Sequence, residues 1–128
     1  MGRYYTGDIE GKFMFAVQGS YAGERFGAVK IGCTTDDFTN TDSIHYQVNR
    51  KSYDYILKEL RLIKESGAIE RVRRMYEEHN GWNNKIGEKF GVSRKNLQEY
   101  ADYCMGNQIK DWFDNNLGRD YLHFEAEC

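Results

Sequence analysis

A chain of 128 residues has room for one hydrophobic core and little for two, so a single domain spanning residues 1–128 is expected. Eighteen basic against twenty acidic side chains give a formal net charge of −2, which excludes a blanket electrostatic grip on nucleic acid or on an anionic membrane and leaves only local patches. No window approaches the roughly 18 consecutive apolar residues of a membrane span, and the opening MGRYYTGDIEGKF lacks a signal-peptide core, so a soluble cytoplasmic protein is expected. Cys33, Cys104 and Cys128 are odd in number, widely spaced and form no CxxC. That pattern points to reduced thiols rather than to a disulfide framework or a zinc site. Aromatics reach 15%, ten of them tyrosine, and rings of that size let a small chain build much of its core.

In chain order, residues 3–18 divide at Gly11-Lys12 into two strand-like runs. The second, Phe13 to Gln18, is apolar on both faces, which suits a central strand or one covered by a loop or partner. Residues 19–27 hold three glycines and read as a loop; Ala28 to Cys33 reads as a strand, Thr34 to Ser43 as a second loop, and Ile44 to Val48 as a further strand. Asn49 to Ser52 then open a helix with Tyr53, Ile56, Leu57, Leu60 and Ile63 on one side. A break follows at Ser66-Gly67, and a second run with Ile69, Val72, Met75 and Tyr76 on one face ends near His79-Asn80-Gly81. One helix kinked at Gly67 is equally compatible. Trp82, Ile86 and Phe90 mark a short helix, and Ser93 to Asn116 a long one with Leu97, Tyr100, Ala101, Cys104, Met105, Ile109, Trp112 and Phe113 along one stripe. Leu117-Gly118 stops it, and Tyr121 to Cys128 alternates without exception. The whole predicts an α+β fold: an antiparallel sheet of four or five strands, including the C-terminal one, packed by three or four helices.

Within that frame, IGEKFGVSRKNLQEY resembles the helix-turn-helix of bacterial and phage DNA-binding proteins through Ile86, Gly87, Gly91, Val92, Ser93 and Leu97. The resemblance implies that Arg94, Lys95, Asn96 and Gln98 face the major groove, because the first residues of the second helix reach the base edges. On that reading Glu99 and Asp102 would face phosphates. The same residues also suit a purely structural corner, in which Gly91 permits the turn and Ser93 caps the next helix.

Other groups could carry chemistry. Asp8, Glu10 and Lys12 form a DxExK pattern of the kind metal-dependent nucleases use to hold Mg²⁺, and Glu125 and Glu127 could complete the cluster if the last strand lay alongside. His45, His79 and His123 have no partner set by sequence spacing. Arg71, Arg73 and Arg74 with Lys85 and Lys89 make a local basic cluster, balanced by Glu70, Glu77 and Glu78 at helical spacing. Walker, GxGxxG and GxSxG motifs are absent from the sequence, and no cofactor is expected.

The opening RYYTGDIEGKFMFAVQ and the closing YLHFEAEC, in a small acidic tyrosine-rich chain, look like the compact orphan proteins of phages and prophages, the anti-CRISPR proteins among them. That resemblance implies a non-enzymatic inhibitor in the bacterial cytoplasm, docked on a host defence protein such as a CRISPR-Cas effector, and it carries over no individual residue. The surface expected to serve such docking comprises Asp36, Asp37, Asp42, Glu125 and Glu127, which could imitate a phosphate backbone, with Tyr4, Tyr5 and Tyr121 as anchors. A helix-turn-helix regulator is the alternative and a Mg²⁺-dependent nuclease the third reading; DNA is a partner only under the alternative, and a two-faced apolar strand leaves room for a homodimer.

Overall fold

A computed structural model of the chain describes residues 3–13, 18–36, 41–78 and 84–127. Five strands, β1 (Tyr4–Gly7), β2 (Gly11–Lys12), β3 (Val29–Asp36), β4 (Thr41–Asn49) and β5 (Tyr121–Glu127), form one sheet in the order β2-β1-β5-β4-β3, with every pairing antiparallel. Four helices, α1 (Tyr53–Glu65), α2 (Ala68–Glu78), α3 (Asn84–Phe90) and α4 (Arg94–Asn115), complete an α+β architecture. Among the described residues no helix is long and apolar enough to cross a membrane.

The alternating C-terminal segment becomes the central strand. Leu122, Phe124 and Ala126 of β5 turn inward, where they join Tyr5, Tyr46 and Val48 from the neighbouring strands and Ile56, Leu60, Met105, Ile109 and Phe113 from the helices. Helix α4 lies close on this layer because position 106 is glycine: a Cβ there would come within 2.5 Å of the Phe26 ring and 2.8 Å of Leu60. Among the described residues no helix covers the opposite face of the sheet, which carries exposed Tyr4, Val29, Ile31 and Tyr121.

Two strand boundaries differ from the sequence reading. Within Thr34 to Ser43, expected as a loop, Thr34 to Asp36 and Thr41 to Ser43 instead extend β3 and β4, with Thr34 opposite Ser43 and Thr35 opposite Asp42, while residues 37–40 lie outside the described residues. Side chains that can bond their own backbone bond across the ladder here: the Thr35 hydroxyl donates to Asp42 Oδ1 at 2.7 Å. Gly11-Lys12, expected as the break, forms the short edge strand β2, and the turn falls on Asp8 to Glu10. Phe13 is buried, but most of the apolar Phe13 to Gln18 run, like His79, Trp82 and Cys128, lies outside the described residues. The break at Gly67 does separate two helices: its φ of +81° is left-handed, and Ser66 Oγ accepts the first amide of α2, Ala68 N–H, at 3.3 Å.

An ion cluster ties the layers together. Arg25, in a 3₁₀ helix at Ala22–Phe26, reaches Glu59 on α1 at 3.2 Å, and Glu99 and Asp102 on α4 at 2.9 and 3.1 Å. Gln18 Nε2 donates to the other Asp102 oxygen at 3.0 Å. Tyr5 is also internal: Gln108 Nε2 donates to its hydroxyl at 2.9 Å, and burial pushes the phenol up to about 12. A phenol that keeps its proton longer in the folded than in the unfolded chain makes stability fall as pH rises from 10 toward 12. Absorbance at the tyrosinate band is expected to show late-titrating rings, one fewer in Tyr5→Phe; titration of every tyrosine together near the ordinary value would contradict this burial.

Candidate nucleic-acid interface

The segment with the most specific sequence pattern also builds a defined corner. Helices α3 and α4 are joined by only Gly91, Val92 and Ser93. Gly91 takes a φ of +68°, a conformation that strains residues with a Cβ, and Val92 N–H donates back to Gly87 O at 2.8 Å. Ser93 then starts α4 as a reciprocal cap: its hydroxyl accepts Asn96 N–H at 3.3 Å, while Asn96 Oδ1 accepts Ser93 N–H at 2.9 Å.

Packing fixes the corner. Val72 and Met75 of α2, Val92 of the turn and Leu97 of α4 form a small core of their own, flanked by Tyr76, Ile86, Phe90 and Tyr100. Gly87 is buried, as close helix approach requires. With its apolar side committed inward, the first turns of α4 expose Arg94, Lys95 and Gln98. The fourth residue expected at the base edges is differently used: both partners of Asn96 in the cap belong to Ser93, so its amide holds the helix start.

Charge follows the same division. Residues 84–98 carry Lys85, Lys89, Arg94 and Lys95 against Glu88 alone, a local excess of three positive charges on a chain whose total is −2. Glu99 and Asp102, expected to face phosphates, turn inward to Arg25. Helix α2 exposes Arg71, Arg73 and Arg74 together with Glu70, Glu77 and Glu78 and adds no net charge. The length of α4 has a structural reason as well, since its later turns bury Met105, Ile109 and Phe113 against the sheet.

The other candidate residues are dispersed. Tyr4, Tyr121, Glu125 and Glu127 belong to β1 and β5 and share the open face. Tyr5, expected as a surface anchor, is 2% exposed, because strand alternation points it to the core. Asp36 and Asp42 sit toward the far end of the β3–β4 hairpin, and Asp37 lies outside the described residues. The DxExK pattern does not assemble. Asp8 Oδ2 accepts the backbone N–H of His123 at 2.8 Å, Glu10 is held through its own backbone N–H by Gln108 Oε1, and Glu125 pairs with His45. Among the described residues no group of three or more His, Cys, Asp or Glu side chains could hold a metal ion.

Sequence spacing gave no partner to the histidines, yet two acquire them from strand register. His45 meets Thr34 and Glu125, and His123 meets Gln47. The available signal was a repeated histidine–aromatic–polar triplet, His45-Tyr46-Gln47 and His123-Phe124-Glu125. No protein family, curated protein or solved structure matches the chain.

Proposed function

We propose that this protein binds duplex DNA through the α3–α4 corner, with Arg94, Lys95 and Gln98 toward the major groove and Lys85 and Lys89 toward the backbone. The observation that carries the reading is the three-residue turn, whose burial of Val92 and Leu97 leaves a basic, polar helix start exposed while the nearby acids are drawn to Arg25. A helix presented in this way can enter a major groove, and arginine, lysine and glutamine there pair with base edges. With Lys85 and Lys89 on the backbone, two neutralised phosphates predict a slope of about −2 in log K against log salt. In an anisotropy titration with mixed-sequence duplex DNA, Arg94→Ala/Lys95→Ala is expected to weaken binding at least tenfold, at roughly 1 to 3 kcal/mol for each side chain truncated. Unchanged affinity in the double variant would end the reading.

Docking on a host defence protein is a second proposal. What supports it is the open sheet face, where Tyr4 and Tyr121 are exposed beside Val29 and Ile31, exposed by 63 and 55%. Co-purification of a stoichiometric bacterial protein, lost in Val29→Asp/Ile31→Asp, is the expected result; capture that is indifferent to those changes would remove this face from consideration.

A further inference from the structure

We propose that the open sheet face holds a second site, independent of the α3–α4 corner, in which His45 and His123 act as acid and base on single-stranded RNA. Strand pairing creates the constellation: His45 of β4 opposes Glu125 of β5, and Gln47 opposes His123. The two imidazoles are therefore diagonal neighbours on one face, about 7 Å apart at the backbone. That separation lets two rings close on a phosphodiester from opposite sides, each through a hydrogen bond of about 2.8 Å.

Both rings are oriented by neighbours. Gln47 Oε1 lies 3.1 Å from His123 Nε2, so this nitrogen carries the hydrogen and Nδ1 of the neutral ring keeps a lone pair. Glu125 Oε1 lies 3.3 Å from His45 Nδ1, and Thr34 Oγ1 lies 2.7 Å from His45 Nε2. Protonated His45 donates at both positions, and its Nε2 proton is passed onward through the Thr34 hydroxyl that accepts it. A groove of about 510 Å³ runs over this pair, lined by Thr6, Gly7, Ile31, His45, His123 and Glu125.

The substrate class follows from what the site supplies. Two imidazoles provide a base and an acid, a pair suited to a substrate that carries its own nucleophile, as RNA does in its 2′-hydroxyl. Half-exposed Tyr4 and Tyr121 share this face, the latter with its ring centroid 6.4 Å from that of His123, and such rings on an antiparallel sheet stack unpaired bases. The carboxylates of β5 on this face are engaged: Glu125 with His45, and Glu127 Oε2 with the Tyr4 N–H at 3.2 Å. In the reaction, His123 Nδ1 takes the proton of the 2′-hydroxyl and the 2′-oxygen forms a bond to phosphorus. The P–O5′ bond breaks, and the leaving 5′-oxygen takes the proton of the Thr34 hydroxyl as that hydroxyl takes the proton of His45 Nε2. The products are a 2′,3′-cyclic phosphate and a 5′-hydroxyl; His45 ends neutral, His123 ends protonated, and exchange with water restores both.

The test is cleavage of a single-stranded RNA oligonucleotide by the full chain in chelator, with His45→Gln and His123→Gln purified in parallel and checked for unchanged melting. The expected result is cleavage leaving 2′,3′-cyclic phosphate ends, no cleavage of the matching DNA, and a bell-shaped pH profile. Each variant is expected to lose 10²- to 10⁴-fold in rate and one limb of that profile. Absence of cleavage, or equal cleavage by the variants, overturns the proposal. So does a bound protein that shields both histidines from chemical modification without any RNA cleavage, which would make the face a protein-docking surface.

Discussion

Phe124→Ala is expected to lower stability by about 4 kcal/mol, the middle of the range for truncating a buried phenylalanine. Phe124 sits on the central strand, 1% exposed, with its ring stacked on Tyr46 at 5.4 Å and edge-on to Tyr5 at 6.3 Å. Its tip fills the space left by Gly23, where an added Cβ would come within 2.7 Å of it. The surroundings cannot readily collapse into the vacancy. Tyr46 is held through its hydroxyl to Glu24 at 3.1 Å, Tyr5 is held by Gln108, and Gly23 has no side chain to move. For a chain of this size the melting temperature should fall by about 15 °C, and in urea the midpoint should drop at unchanged slope. A loss below about 1.5 kcal/mol would mean that the central layer is looser than described.

Arg25→Ala is the second large effect, expected to cost about 3 kcal/mol. The guanidinium is partly shielded and answers three carboxylates, of which Asp102 is nearly inaccessible, with 3% of its side chain exposed. Removing the cation leaves that carboxylate with Gln18 as its remaining partner from this cluster. Burial already holds the Asp102 carboxyl above its ordinary value, although Gln18 and Arg25 act in the opposite direction. A group that keeps its proton longer when folded makes stability fall as pH rises from its unfolded value through its folded one. Without Arg25 that interval widens, so the variant should be less destabilised in mild acid than at neutral pH. Adding Asp102→Asn should recover about half of the loss, because the neutral amide no longer needs the cation. Denaturation of the single and double variants at two pH values checks both statements; equal losses at the two would contradict the role given to Asp102.

These effects concern features of unequal visibility in the sequence. The α4 stripe and the alternation in β5 were legible because each side chain answers to the local period of its element, so one glance along the chain separates Leu122 and Phe124 from His123 and Glu125. The corner was legible for the same reason, with its turn glycine and serine cap adjacent in sequence. Hairpin length was not, since threonine and aspartate at Thr34 to Ser43 serve turns and ladders alike, and only pairing with the opposite strand decides. Tyr4 and Tyr5 show the same limit: two adjacent tyrosines cannot be told apart until a sheet gives the strand an inside. Arg25, Glu59, Glu99 and Asp102 lie on three elements, as do Thr34, His45 and Glu125 on three strands. Constellations of that kind exist only after folding.

The most direct test of the DNA-binding account is to map amide chemical shifts of the labelled protein during titration with mixed-sequence duplex DNA at low salt. The account predicts that the changes cluster at Lys85, Lys89 and Gly91 to Gln98, grow with DNA and reverse when salt is added. An unchanged spectrum, or changes confined to β1 and β5, would contradict it.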